Sequence, residues 1–291
     1  MTEKPDRLLA SSLPGTAILE MWPYIGIVGL KDPEEAFKVA GMVHVVLGAK
    51  DITKKFTHHV QIGVQVTDKT LRGKVTESRR NPKVADIPEM FRTALSFRDD
   101  FFTVVHYTPK NYESILDSVR KIMSLDNMYK NGWCHGLQLN GCFGKMNRGT
   151  LSRVKGAYPD LKVILQIPGE ALTSMKAVKI ARKLKEFNDL ADYALIDPSG
   201  GRGQEMDVES GLKVAKAILG QTGIDVAFAG GLKGSNVFDI VTRLREGLGH
   251  TNFSIDAEGG LRDKLGEGYG NDDFNLRKAE EYFRNAVRAF Q

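Results

Sequence analysis

Three glycine-rich stretches toward the end of the chain set carboxylates beside main chain that few side chains cover. They read DPSGGRG from Asp197, AGGLKGSN from Ala229 and DAEGGLRD from Asp256. Glycine allows a ligand to approach the main chain closely, and the N–H groups ahead of a helix attract anions. A carboxylate beside such N–H groups is suited to proton transfer on a bound anion. We therefore predict a site for an anion the size of phosphate.

Seven glycines and one arginine are the candidate anion-binding groups of these stretches. The glycines are Gly200, Gly201, Gly203, Gly230, Gly231, Gly259 and Gly260. Arg202 lies among the first three, and its planar guanidinium is suited to pair with a phosphate or a carboxylate. The alternative for Arg202 is a loop side chain that faces solvent.

The elements that must position these stretches alternate between short apolar runs and longer amphipathic ones. Runs rich in valine and isoleucine that end at glycine, proline or a polar residue predict strands. Eight of them are Tyr24–Gly29, Val60–Thr67, Phe102–Thr108, Gly136–Asn140, Lys162–Pro168, Tyr193–Pro198, Asp225–Gly231 and Asn252–Gly259. Their alternation with helices predicts a closed (β/α)8 barrel, in which phosphate sites lie after the last strands.

Two points of this assignment stay open. A ninth run, Val43–Ala49, is either part of an early insertion or a competitor of Val60–Thr67 for the second barrel strand. An open doubly wound sheet is the alternative architecture. It is disfavoured because no G-x-G-x-x-G motif follows the first strand.

The predicted domain organisation is a single barrel domain over residues 1–291. Residues 1–22 form an N-terminal extension and residues 23–291 form the barrel, with an insertion before the third barrel strand. Within that insertion, residues 68–90 are predicted to be a surface loop. The first helix is predicted to have Asp32 as its N-cap, Pro33 at its first position and Gly41 as its end.

Strand parity adds two amides to the candidate site. In GLQLN, Gln138 and Asn140 share one face of the strand, while Leu137 and Leu139 share the other. Leucine suits the side that faces the helices, so both amides are predicted to point into the barrel mouth. Buried amides must be hydrogen-bonded, and these two bind either each other or a substrate.

The composition favours a small-molecule ligand over a nucleic acid or a membrane. The chain has 41 basic and 36 acidic residues, which is a weak excess of positive charge. No apolar run is long enough to cross a membrane, and residues 1–22 lack the pattern of a signal peptide. Two cysteines without a repeated ligand pair predict no metal site and a reduced, cytoplasmic setting. No cofactor is expected, and a homo-oligomer is compatible with the sequence.

Five motifs in order resemble those of phosphoribosylanthranilate isomerase, a barrel enzyme of tryptophan biosynthesis. They are YIGIVGLKDPEEA, GLQLNG, ALIDPSGGRG, VAFAGGLKGSNV and SIDAEGG, and they span residues 24 to 260 with gaps. The family's motifs read K-I-C-G-L-T-x-P-E-D-A, V-Q-L-H-G, L-L-D-x-x-x-G-G-T-G, L-A-G-G-L-x-x-x-N-V and V-D-V-S-S-G. The resemblance implies a barrel of the ribulose-phosphate-binding type with isomerase activity.

The resemblance also implies roles for individual residues. Asp197 matches the family's general acid, which protonates the ring oxygen of the sugar in an Amadori rearrangement. Asp256 matches the active-site aspartate of the last strand. Gly230, Gly231, Gly259 and Gly260 fall in or beside the family's phosphate-binding main chain. The segment ESRRNP resembles the family's S-P-R loop after the second strand, which implies that Arg80 lies near the substrate.

The chain departs from the family at the general base. Val28 stands where the family has its catalytic cysteine, and Gly26 stands where it has a lysine. Valine cannot accept a proton, and general acid–base help is worth about 10²–10⁴-fold in rate. The replacement candidates are Cys142, His106 and Glu258. Each also has a structural explanation: Cys142 as an apolar filler, His106 as a hydrogen-bonded structural histidine and Glu258 as a solvated carboxylate.

The sequence therefore predicts an isomerase-type barrel that binds a small phosphorylated sugar or a related ligand, with Asp197 as its acid. The first alternative is a non-catalytic homologue that kept the phosphate site and lost the base. The second is a true phosphoribosylanthranilate isomerase with a relocated base.

Overall fold

Eight parallel strands close into a barrel in chain order, and the first strand pairs with the eighth to complete the ring. The computed structural model describes residues 23–48, 56–74, 76, 78–200 and 204–291. The strands are β1 (Tyr24–Val28), β2 (His59–Thr67), β3 (Phe101–Thr108), β4 (Gly136–Leu139), β5 (Lys162–Pro168), β6 (Tyr193–Asp197), β7 (Asp225–Ala229) and β8 (Ser254–Ala257). The predicted (β/α)8 barrel is confirmed, and residues 60–67 belong to its second strand.

Helices connect the strands and surround the barrel. They are α1 (Pro33–Gly48), α2 (Asp68–Leu71), α3 (Ile87–Phe97), α4 (Ile115–Ser124), α5 (Arg148–Ala157), α6 (Gly169–Ser174), α7 (Ala177–Lys185), α8 (Val208–Gln221), α9 (Gly234–Leu248) and α10 (Leu276–Phe290). A short hairpin, β9 (Arg262–Lys264) and β10 (Asp272–Phe274), lies between β8 and α10. None of the helices described is long and apolar enough to cross a bilayer.

The prediction of a strand at residues 43–49 is wrong for residues 43–48, which complete helix α1, while residue 49 lies outside the described residues. Buried Val39, Val43 and Val46 recur at helical spacing, whereas Val45 is exposed. Tertiary packing of this face therefore outweighs the strand propensity of the valines. Gly41 does not end the helix, although the side chain of Asp32 accepts the hydrogen bond from the N–H of Glu35 that an N-cap should accept.

The predicted surface loop over residues 68–90 is only partly a loop. Helix α2 begins directly after β2, and the side chain of Thr67 caps it by accepting from the N–H of Thr70. Residues 84–86 form a 3-10 turn that leads into α3, whose first residues, Ile87 and Pro88, are buried. Of the described residues between α2 and this turn, Asn81 lines the cavity described below.

The barrel interior changes from apolar to polar along the strands. Tyr24, Phe102 and Tyr193 pack with ring centroids 5.4–6.2 Å apart near the start of their strands. Val104, Ile164 and Leu195 fill the interior with them. Near the carboxyl ends of the strands the inward residues are amides and carboxylates instead. This polarity places any chemistry at the carboxyl end of the barrel, as in characterised barrels of this kind.

Candidate functional site

A cavity of about 380 Å³ opens at the carboxyl ends of the strands. The sequence-predicted residues that line it are Gln138, Asn140, Asp197, Gly200, Gly230, Gly231, Asp256, Gly259 and Gly260. The structure therefore brings together candidates from four strand ends that span more than a hundred residues of sequence. Gly201, Arg202 and Gly203 lie outside the described residues. Arg80 does not line the cavity.

The loops after β6, β7 and β8 touch one another around the cavity. A Cβ atom at Gly231 would lie 2.7 Å from Cα of Glu205, so the loop after β7 packs on the loop after β6. A Cβ atom at Gly260 would overlap with the carbonyl oxygen of Leu232, so the loop after β8 packs on the loop after β7. Gly231 also has a φ of +63°, and Gly230 has a φ of +114°, which L-residues rarely adopt.

Four main-chain N–H groups of these loops form no hydrogen bond with any other described residue. They belong to Gly231, Leu232, Gly259 and Gly260, and all four residues line the cavity. Main-chain donors in folded proteins are almost always satisfied, by water or a ligand where the protein offers no acceptor. Successive N–H groups of this kind form concavities that bind anions.

Asp197 ends β6 and is 5% exposed. Its Oδ1 accepts hydrogen bonds from the N–H and Oγ of Ser199 at 2.9 and 3.1 Å and from the N–H of Gly200 at 2.9 Å. Its Oδ2 accepts one hydrogen bond from Nε2 of Gln166, at 2.7 Å. The carboxylate is held by four donors, and one lone pair of Oδ2 remains for a ligand.

Carboxamide side chains line much of the remaining wall, and they are Gln65, Asn81, Gln138, Asn140 and Gln166. Gln138 donates to Oδ1 of Asn140 at 2.9 Å, whereas its own buried Oε1 has no partner among the described residues. An unpaired buried acceptor that lines a cavity calls for a donor from a ligand or water. Gln166 was missed from the sequence, although its place in KVILQIP matches that of Gln138 in GLQL.

Arg80 belongs to a buried ion-pair network that joins the loop after β2 to the β9–β10 hairpin. Its guanidinium pairs with both carboxylate oxygens of Asp272 and donates to Oε1 of Glu258 at 2.6 Å. It also lies 4.4 Å from the ring centroid of Tyr269, whose hydroxyl donates to Glu258. Arg262 pairs with the same Asp272 at 2.6 Å. Arg80 therefore holds two cavity-lining residues, Glu258 and Tyr269, in place.

The candidate replacement bases have different surroundings. Cys142 is 1% exposed, and burial raises the pKa of its thiol to about 12. Burial lowers the pKa of His106 to about 3, and its Nε2 accepts from the amide of Gln61 at 3.0 Å. Burial raises the pKa of Glu258 despite its pairing with Arg80. Val28 lines the cavity, so no proton acceptor replaces the family's cysteine at the end of β1.

The fold and the site together define the class of this protein, a (β/α)8 barrel with its cavity at the carboxyl end. Solved structures that it resembles include a GH113 β-1,4-mannanase, at a TM-score of 0.53, 12% identity and coverage of 92% of this chain and 98% of that chain. The tryptophan synthase alpha chain of Legionella pneumophila subsp. pneumophila matches at a TM-score of 0.52 and 10% identity, with coverage of 92% of this chain and 91% of that chain. DAHP synthase of Thermotoga maritima matches at a TM-score of 0.55 and 11% identity, with coverage of 92% of this chain and 68% of that chain.

These likenesses establish the fold alone, because barrels of this kind carry many unrelated activities. No protein-family model matches the chain, and no curated protein matches it in sequence. The resemblance to phosphoribosylanthranilate isomerase therefore rests on the five motifs.

Proposed function

We propose that the cavity binds a small phosphorylated sugar or a related ligand and that the protein isomerises it by acid–base chemistry. The observation that carries the proposal is the contact of three glycine loops around the cavity, with four N–H groups that donate to no described residue, in a cavity that Asp197 and Asp256 also line. The cavity, at about 380 Å³, lies within the usual size of small-ligand sites.

The amide-rich wall supports a sugar as the rest of the ligand. Carboxamides both donate and accept hydrogen bonds, as hydroxyl groups do. No lysine or arginine among the described residues lines the cavity, so among those residues neutral donors such as the main-chain N–H groups must bind the phosphate. The acidic charge of Glu258 is offset by Arg80, so it opposes a bound phosphate less than an unpaired carboxylate would.

Turnover of a panel of aldose and ketose phosphates, followed by NMR, tests the proposal. We expect at least one phosphorylated sugar to be isomerised and its dephosphorylated form to be inert. Binding of a sugar phosphate without turnover of any panel member would favour the non-catalytic alternative. Growth of a tryptophan auxotroph that lacks the isomerase, when given this protein, would favour phosphoribosylanthranilate isomerase itself.

Substitution of Gly260 by alanine is expected to weaken phosphate binding at least tenfold. The added Cβ overlaps with the carbonyl oxygen of Leu232, so the loops after β7 and β8 must separate and their N–H groups no longer converge. Calorimetric titration with the sugar phosphate measures the change.

The matched control for Gly260→Ala is Gly220→Ala. Gly220 lies in α8, and nothing described lies within 4 Å of a Cβ atom placed there. The control should bind as the wild type does. Equal affinity in Gly260→Ala and the control would remove the loops from the binding site.

A further inference from the structure

The two aspartates of the cavity lie in opposite hydrogen-bonding surroundings. Asp197 accepts four hydrogen bonds of 2.7–3.1 Å, all from neutral donors. Donors of this number and length stabilise the charged form of a carboxyl group. The side chain of Asp197 is thus arranged as an ionised carboxylate.

Asp256 has less of this support, and its main-chain donor is the N–H of Ala257. It is 6% exposed, and its closest side-chain donor is Nε2 of Gln61, at 3.5 Å from Oδ1. The same Gln61 amide also donates to Nε2 of His106, at 3.0 Å, through its other N–H. The carboxyl group lies against the main chain of β1, so closely that a Cβ atom at Gly26 would overlap with Oδ1.

The charges around Asp256 oppose its ionisation. No lysine or arginine among the described residues forms an ion pair with it, and its charged neighbours, Glu258 and Asp197, are both negative. The pKa of Asp256 is raised well above its ordinary value, mainly because the carboxyl group is buried and secondly because of these two negative charges. Burial raises the pKa of Tyr24 and Tyr282, so neither phenol supplies a charge that would offset an ionised Asp256.

We infer that Asp256 is the carboxylic acid of the site and that Asp197 is its ionised partner, which moves the acid from Asp197, where the family resemblance implies it, to Asp256. The inference rests on the proposed isomerase function for its chemistry and on the hydrogen-bond geometry for its assignment. Gly26 is the residue that permits it. Glycine leaves room for the carboxyl group against β1 and supplies no cation to ionise it.

Asp256 and Asp197 together can carry out an isomerisation, although Val28 supplies no base. Asp197 takes the proton from C2 of an aldose phosphate while Asp256 gives its proton to O1, which forms an enediol. Asp197 then returns its proton to C1, and the O2 proton passes to Asp256 as the C2 carbonyl forms. C1 is reduced and C2 is oxidised, and both carboxyl groups return to their starting states.

Infrared spectroscopy of the full chain at pH 7 tests the assignment without any substrate. The carbonyl stretch of a protonated carboxyl group is expected in the wild type and in Asp197→Asn, and it should be missing in Asp256→Asn. Equal protonated-carboxyl intensity in the wild type and Asp256→Asn would overturn the inference, as would loss of the band in Asp197→Asn alone.

A second measurement needs no variant, should Asp256→Asn fail to fold. The surroundings of Asp256 raise its pKa, whereas the pKa values of Asp189, Asp207, Asp263, Asp272 and Asp273 are lowered. Wild type labelled with ¹³C at the aspartate Cγ should show one resonance that titrates at a clearly higher pH than the others. Titration of every aspartate below pH 6 contradicts the inference. The infrared and ¹³C measurements use no substrate. Their outcome therefore does not depend on whether a sugar phosphate is turned over, and a failure of the proposed function can be told apart from a failure of this inference.

The pH dependence of stability gives an independent prediction. A carboxyl group whose pKa rises on folding stabilises the fold fully below its unfolded value, about 4, and the contribution is lost as the pH rises through the folded value. Asp256→Asn should therefore unfold at higher denaturant concentration than the wild type at pH 8, and the difference should shrink toward pH 4. A variant that is less stable than the wild type at pH 8 contradicts this.

Discussion

Replacement of Asp197 by asparagine is expected to lower kcat for the sugar phosphate by about 10²–10⁴-fold, the usual worth of one general acid–base group. Asparagine keeps the shape of the side chain, and its Oδ1 can still accept from Ser199 and Gly200. The loop that it organises should therefore persist, and the affinity for the phosphorylated ligand should change little. Steady-state kinetics and calorimetric titration measure the two effects separately.

Asp207→Asn is the matched control for this variant. Asp207 lies in the same connection between β6 and α8, where it caps α8 by accepting from the N–H of Glu209, and it does not line the cavity. Asparagine caps helices as well as aspartate does, so kcat should be unchanged. A value of kcat for Asp197→Asn within a few-fold of the control would mean that Asp197 only shapes the loop.

Replacement of Arg80 by methionine is expected to lower the free energy of unfolding by about 3 kcal/mol. Removing one partner of a buried ion pair costs about 3–5 kcal/mol, because the other charge is left buried without its partner. The low end applies because Arg262 still pairs with Asp272, while Glu258 loses its contact at 2.6 Å. Denaturant unfolding at neutral pH measures the change.

Arg79→Met separates the buried network from its exposed neighbour. Arg79 forms an ion pair with Asp273 at 2.7 Å, and both side chains are well exposed. Surface pairs contribute little, so this variant should unfold close to the wild type. Similar losses in both variants would show that the network around Arg80 stabilises no more than a surface pair.

The barrel and the meeting of its loops could be predicted because both follow from local patterns. Short valine- and isoleucine-rich runs between amphipathic segments specify parallel strands and helices, and a closed barrel brings all carboxyl ends to one side. The inward direction of Gln138 followed from strand parity alone. The helical state of Val43 and Val46 did not, because their β-branched side chains favour strands and only packing against the barrel decides otherwise.

The chemistry of the site depends on contacts that the sequence separates widely. Arg80 meets Asp272 across 192 positions, and Gln61 meets Asp256 across 195. No local pattern marks such pairs, so neither the pairing of Arg80 nor the isolation of Asp256 could be foreseen. The fit of the Asp256 carboxyl group against Gly26 likewise exists only once β1 and β8 are paired.

A crystal soaked in inorganic phosphate tests the central claim most directly. We predict a phosphate between the loops after β7 and β8, within hydrogen-bonding distance of the N–H groups of Gly231, Leu232, Gly259 and Gly260. Asp197 should face the same cavity, on the side where the sugar would extend. A saturating soak that leaves these N–H groups without an anion, or that places phosphate only elsewhere on the barrel, would contradict the account.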